Sequence, residues 1–255
     1  MSTSETPAFK DHFSGTSAGY ASHRPTYPPD LADALAQAAP VTGLAIDVGC
    51  GNGQLTRLLA ERFERVIGVD ASAEQIARAT PHPRITYRRA PAEATGAEAG
   101  SVDLVVAAQA AHWFDLDAFY AEARRVARPG AAIALVAYAT LDLPEDAAAN
   151  AVVADFYRRV AGPYWPAERA HVEAGYATLP FPFPEIAHAP LAIVVRWPLA
   201  ALLGYVGTWS ALAGLRGAQG EAPIEAFHAR LAEAWGDPAV PKAIRWPIAL
   251  RLGRI

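Results

Sequence analysis

The alternation of apolar and polar positions divides the chain into short elements. Leu44-Ala-Ile-Asp-Val48, Arg65-Val-Ile-Gly-Val69, Ile85-Thr-Tyr-Arg-Arg89 and Val102-Asp-Leu-Val-Val-Ala107 are brief strand-like runs, and Ala131–Tyr138 is a fifth. Between them the period lengthens to that of a helix. Leu55, Leu58, Leu59 and Phe63 share one face of a run that starts at Gln54, and Leu116–Ala127 is another such run. A shorter helix, through Ala79, follows Ser72, whose hydroxyl suits an N-cap, with Glu74 and Gln75 in the first turn. Ahead of them, Pro28-Pro29-Asp30 opens a helix with Leu31, Leu35 and Ala38 on its apolar face. Pro129-Gly130 reads as a turn before the fifth strand. Strands alternating with helices need right-handed crossovers, and these cover both faces of a parallel sheet. Residues 28–138 therefore predict a doubly wound α/β core.

The pattern changes after Tyr138. Residues 139–190 hold two amphipathic pieces and the proline-rich Leu179-Pro-Phe-Pro-Phe-Pro184, and predict a helical cap insertion for substrate. Residues 191–255 predict the remainder of the sheet with additional cap helices. In this part Ala189–Arg196 and Ile244–Leu252 read as strands, and Ile224–Trp235 as a helix. Pro247 cannot donate to a ladder, so the last strand is expected at an edge. Residues 1–27 are polar and contain Gly, Ser and Pro; they predict a mobile arm. The uncharged stretch Trp197–Leu215 is nearly long enough to span a bilayer. Pro198, Gly204, Gly207 and Gly214 argue instead for a buried or cap helix followed by a loop.

Composition narrows the classes. A chain of 255 residues can bury a large core without staples, and its one cysteine, Cys50, excludes a disulfide scaffold. The net charge of -4 leaves no footprint for nucleic acid or an anionic membrane. The opening MSTSETPAFK has no apolar core, which predicts a cytoplasmic protein. Histidines at 12, 23, 82, 171, 188 and 228 lack paired ligand spacing, so no metal is expected. A monomer or weak dimer is expected.

The chemistry concentrates in Asp47-Val-Gly-Cys-Gly-Asn-Gly-Gln54, between a strand and a helix. Glycines at 49, 51 and 53 allow a tight turn and close approach of a ligand. The dinucleotide fingerprint would need a glycine where Gln54 stands. Asp47 would repel a pyrophosphate but favour an ammonium or sulfonium. Asp70 ends the second strand, 19 residues after Gly51, where a carboxylate can bridge ribose hydroxyls. Two such acids suit a cationic nucleoside without phosphates, and S-adenosylmethionine is one.

On Asp47-Val-Gly-Cys-Gly-Asn-Gly53, Gly68-Val-Asp70, Ala92-Glu93 and Asp103-Leu-Val-Val, the chain resembles the class I S-adenosylmethionine-dependent methyltransferases. Three further segments resemble the trans-aconitate methyltransferase-like branch: Tyr20-x-x-x-Arg24-Pro-x-Tyr-Pro28, Gln109-Ala-Ala-His-Trp-Phe-Asp115 and Thr208-Trp-Ser210. The resemblance implies a seven-stranded Rossmann-like sheet with an antiparallel last strand. It implies that Asp47, Gly49 and Gly51 hold the methionine part, Asp70 the ribose, and Ala71, Ala92 and Glu93 the adenine. Pro91 departs from the family, in which many members carry Asp before the Ala-Glu pair. Gln109 and Ala110 are expected on the cofactor side.

Tyr20 and Arg24 lie four apart, on one face of a helical arm, where the arginine fork suits the cofactor's carboxylate. They are expected to close as a lid. His112 and Trp113 follow the fourth strand, and ligands bind at the carboxyl ends of such strands. They are expected to line the substrate, as are Trp165 and Arg169 of the aromatic cap. The branch resemblance implies a small-molecule acceptor, an organic acid methylated on a carboxylate oxygen. That nucleophile is ionised at neutral pH, so His112 would orient it without acting as a base. Alternatives are C-methylation of a quinone-like ring and a non-catalytic S-adenosylmethionine-binding protein. A nicotinamide oxidoreductase fits Asp47 and Gln54 poorly.

Overall fold

A computed structural model describes residues 25–138 and 140–255; Tyr20 and Arg24 lie outside the described residues. The strands are β1 (Leu44–Val48), β2 (Arg65–Asp70), β3 (Ile85–Arg89), β4 (Val102–Ala108), β5 (Ala127–Tyr138), β6 (Leu191–Trp197) and β7 (Lys242–Arg254). They form one sheet in the order β3-β2-β1-β4-β5-β7-β6. Strands β1 to β5 run parallel, and β7 lies antiparallel between β5 and β6. Helices α1 (Pro29–Ala38), α2 (Gln54–Ala60), α3 (Ala73–Ala77) and α4 (Leu116–Val126) belong to the first half. The second half holds α5 (Ala147–Asp155), α6 (Arg169–Glu173), α7 (Leu199–Val206), α8 (Ala211–Gln219) and α9 (Ala222–Trp235).

Side chains alternate across each strand, so the sheet carries two cores. Ala45, Leu104, Val106 and Val136 face α1, α2 and the aromatics Phe156, Trp209, Phe227 and Trp246. Ile46, Val48, Val105 and Leu135 face Phe119 and Tyr120 of α4, with Val172 and Tyr176 beyond. Each fully buried Leu, Ile or Phe contributes about 1.5–3 kcal/mol by leaving water. Ser72 caps α3 as its position suggests, accepting a hydrogen bond from Gln75 N at 3.3 Å. That helix ends at Ala77, short of Ala79, and α2 ends at Ala60, short of Phe63, though Phe63 is still buried.

Two expectations are corrected. Pro129-Gly130 lies inside β5 and does not precede it: Val102 pairs with Ala127 but Leu104 with Ala132, so the extra residues form a bulge. Gly130 accommodates it with φ of 79°. The last strand, β7, is interior and β6 is the edge. Pro247 survives there because the ladder to β5 ends at Tyr138↔Ile248, and pairing resumes only at the Asp142↔Arg245 bridge. Arg245 N donates to Asp142 O on that side. Two residues on, the Pro247 nitrogen faces the same side, where the ladder is interrupted. The stretch from Trp197 breaks into α7 and α8, and no helix of the described residues is long and apolar enough to cross a membrane.

Candidate active site

The loop after β1 is held by backbone alone at its start. Gly49 N and Cys50 N both donate to Val69 O of β2, at 2.7 and 3.0 Å. Gly49, Gly51 and Gly53 take φ of 72°, 56° and 87°, a region that favours glycine. Space forbids side chains as well: a Cβ on Gly53 would sit 2.2 Å from Tyr87 Oη, and one on Gly49 2.4 Å from the Ala110 Cβ. Asp70 closes the loop from the second strand. Its Oδ2 accepts from Gly51 N and its Oδ1 from Ser72 N, both at 2.8 Å. This loop-holding part was not readable from the spacing.

Asp47 is 1% exposed beneath the loop. Thr56 Oγ1, on α2, donates to its Oδ2 at 2.6 Å, while Oδ1 is buried with no partner among the described residues. Burial pushes the carboxyl up to about 7, the charge of Asp70 adds to this, and the Thr56 hydrogen bond opposes it. An unsatisfied buried acceptor is costly, and an ammonium placed there would relieve it. This buried acceptor therefore fits the cationic amino-acid end of S-adenosylmethionine. Thr56 escaped the sequence reading; a threonine in the first turn after a glycine loop was its only trace. Cys50 is buried and its thiol is pushed well above the ordinary range by burial, so it is an inert packing residue.

Residues expected around the adenine lie along the ends of β2 and β3. Ala92 is buried, and the Ala71 carbonyl accepts from Arg89 Nε at 3.3 Å. Glu93 Oε1 accepts from Asp115 N at 3.2 Å, tying the β3–β4 connection to the start of α4.

The segment after β4 faces two ways. Ala110 packs against the glycine loop, whereas its neighbour Gln109 opens toward the aromatic side. Gln109 has φ of 55°, its N donates to Val136 O at 2.8 Å, and its Nε2 to Tyr138 O at 3.1 Å. It lines a cavity of ≈ 60 Å³ with Tyr138, Trp165, Arg169, Tyr205, Trp209 and Ser210. Gln109 was expected beside the cofactor. Tyr138 and Tyr205 had not been singled out, although Tyr138 ends a parallel strand where ligands gather.

Trp165 and Arg169 form the outer wall of that cavity. A π-helical turn, Phe156–Val160, continues α5 and presents Tyr157 to them. Trp165 Nε1 donates to Tyr157 O at 3.4 Å, and Arg169 Nε to Tyr157 Oη at 3.0 Å. Tyr157 Oη in turn donates to Glu173 Oε1. The Arg169 guanidinium lies 5.1 Å from the Trp165 ring centre. Beyond this wall a wider groove of ≈ 390 Å³ runs past Arg158, Gly162 and Glu173.

His112 sits on a single 3₁₀ turn, Ala111–Trp113, its ring 4.9 Å from that of Trp113. Its Nδ1 is 2.8 Å from Tyr176 Oη. Burial lowers its pKa to about 4, and the charges of Arg169 and His171 add to the effect. His112 is therefore neutral at physiological pH. Among the described residues, no group of three or more His, Cys, Asp or Glu is placed to hold a metal ion.

Known proteins resemble this chain in sequence and in fold. Residues 46–135 match the family model described as a methyltransferase domain. A protein of Dictyostelium discoideum assigned as a methyltransferase is 32% identical over 207 residues, 80% of this chain and 79% of that one. A solved structure from Anaeromyxobacter dehalogenans, assigned as a type II methyltransferase, is 52% identical with a TM-score of 0.87, covering 91% of this chain and 97% of that one. A methyltransferase structure from Anabaena variabilis, 17% identical with a TM-score of 0.50 over 86% of this chain and 96% of that one, shares the fold. With its seven-stranded sheet, glycine loop and buried Asp47, the chain belongs to the class I S-adenosylmethionine-dependent methyltransferases.

Proposed function

We propose that this methyltransferase acts on a small organic acid and methylates a carboxylate oxygen. The observation that carries this reading is Arg169 in the wall of the cavity that Gln109 and Tyr138 reach from the sheet. Arginine presents five N–H donors in a fork that matches a carboxylate. Here one of them, Nε, is committed to Tyr157 Oη. The aromatic lining supplies apolar bulk around the anion, as the resemblance to the trans-aconitate branch also suggests.

S-adenosylmethionine, when bound, supplies an electrophilic methyl group on a sulfonium. Asp47 would hold its ammonium, Gly49 and Gly51 would let the chain approach it, and Asp70 would lie toward the ribose. Ala71, Ala92 and Glu93 would border the adenine. On the acceptor side, Arg169 binds and orients the carboxylate, and the Trp165 and Trp209 rings exclude water. Holding both partners in line contributes at best about 7–11 kcal/mol to lowering the barrier. A carboxylate needs no proton removed, which agrees with a His112 too weakly basic to take one.

The test is a screen of di- and tricarboxylic acids with purified protein and S-adenosylmethionine, the product identified as a methyl ester. Arg169→Met should raise KM for the acid roughly 10–100-fold, the range for losing a charged hydrogen bond, and leave S-adenosylhomocysteine affinity unchanged. An ether or C-methyl product would refute the carboxylate assignment and leave the cofactor assignment standing. A C-methyl product on a ring would favour the quinone-like alternative. Absence of transfer to any acceptor class, with S-adenosylhomocysteine still bound, would favour a non-catalytic binding role.

A further inference from the structure

Only two non-glycine positions among the described residues take a left-handed backbone: Gln109, at the cavity, and Tyr176, with φ of 61°. That region is unfavourable for a residue with a Cβ, so the surroundings must hold Tyr176 there. They do so at the end of α6. Gly175 N donates to Val172 O at 3.0 Å and Tyr176 N to His171 O at 2.8 Å, and Gly175 shares the left-handed conformation with φ of 59°. The turn drives the Tyr176 ring inward until it is 0% exposed. There its hydroxyl meets one group of the site, His112 Nδ1 at 2.8 Å.

The direction of that hydrogen bond decides what His112 can do. Burial holds the Tyr176 hydroxyl well above its ordinary range, so the oxygen keeps its proton. A hydroxyl buried this completely needs an acceptor for its proton, and the acceptor it meets at 2.8 Å is Nδ1. A neutral imidazole carries one proton, and if Nδ1 accepts, that proton sits on Nε2.

We propose that Tyr176 is a positioning residue that fixes His112 in the Nε2–H tautomer, so that His112 offers the methyl acceptor a hydrogen-bond donor and not a base. The proposal rests on the carboxylate reading and on the expectation from the sequence that His112, on the turn that follows the cavity residue Gln109, faces the acceptor. It extends that reading by naming the residue that sets the tautomer and the kind of atom His112 recognises, an oxygen with a lone pair. The titratable and charged groups around the ring are Arg169, His171 and Glu168. Arg169 and His171 disfavour a second proton, while Glu168 favours it, and burial outweighs all three.

Nitrogen-15 NMR of the imidazoles reads the tautomer without any acceptor present. His112 signals are assigned by their loss in His112→Gln. In the unsubstituted protein Nε2 should be protonated and Nδ1 bare, unchanged from pH 8 to 5. Tyr176→Phe keeps the ring but removes the donor. His112 should then populate both tautomers, and its titration should move up toward the ordinary value of about 6.5, with S-adenosylhomocysteine affinity unchanged. With the acceptor in hand, Tyr176→Phe should lower kcat roughly tenfold, the effect of one lost donor. A proton on Nδ1 in the unsubstituted protein would overturn the proposal, and so would an identical His112 spectrum in Tyr176→Phe. The Nε2–H form found together with an ether or C-methyl product would overturn the carboxylate reading alone.

Discussion

The glycine loop and the Trp165–Arg169 wall approach the same end of the sheet, but different forces shape them. Backbone geometry defines the loop. Three glycines need left-handed φ, two amides share the Val69 carbonyl, and Asp70 caps Gly51 and Ser72. Rings define the wall. Tyr157 lies 4.9 Å from Trp165 and 5.3 Å from Trp209, and Trp165 lies 5.6 Å from Trp209. Aromatic pairs of this kind are worth about 0.5–1.5 kcal/mol each beyond their burial and tolerate a range of angles. A constant ligand can be met by a fixed backbone cradle. An acceptor that differs between enzymes is better met by packing that can be re-cut without unfolding the sheet.

The contrast predicts unequal responses to substitution. The largest belongs to Gly53→Ala. Its Cβ would collide with Tyr87 Oη and adopt a disfavoured φ, so stability should fall by roughly 3 kcal/mol, as for other overpacked and strained sites, and S-adenosylhomocysteine binding should disappear. Urea unfolding and calorimetry measure both. Near-normal binding would show that the loop is more pliant than the contrast requires.

Next in size is Thr56→Val, which keeps volume but removes the hydrogen bond that opposes the raised pKa of Asp47. Because burial raises that group to about 7, the neutral acid is the form that the folded protein favours without ligand. Its contribution to stability is fully present below 3.8 and is lost as pH rises through about 7. The loss is on the order of 4 kcal/mol. Ligand affinity has the opposite slope, since only the ionised carboxylate attracts an ammonium. S-adenosylhomocysteine should bind more tightly as pH rises from 6 to 8. In Thr56→Val the rise should shift to higher pH, with about fivefold weaker binding at pH 7 if the carboxyl moves by about one pKa unit. Titrations that show no pH dependence in either protein would remove Asp47 from the role.

Trp165→Phe should have the smallest effect. Stability should change by no more than about 1 kcal/mol and cofactor affinity should not move, while the preference among acceptor acids should shift toward bulkier ones. A large loss of cofactor affinity would mean that wall and loop are one unit.

Much of this was legible along the chain because its causes are local. β1 and β3 begin and end where the apolar runs do, and Ser72 caps α3, since period and capping are properties of a few consecutive residues. The glycine loop was legible for the same reason: left-handed φ belongs to a single residue, and Asp47 lies next to the end of β1 while Asp70 ends β2. Strand order is different. Pro247 argued for an edge, yet β7 is interior, because only the sheet shows that the ladder to β5 stops one residue before the proline's nitrogen is needed. Side-chain partners across long loops were equally out of reach. Thr56 beneath Asp47, Gln109 turned toward the aromatic cavity, and Tyr176 against His112, 64 residues away in sequence, are set by how the crossovers close. Periodicity and backbone propensity act between neighbours in the chain, so the sequence by itself determined most of the sheet's elements and the glycine loop. Packing and hydrogen bonding act between neighbours in space, so only the tertiary structure decided which donor faces which acceptor.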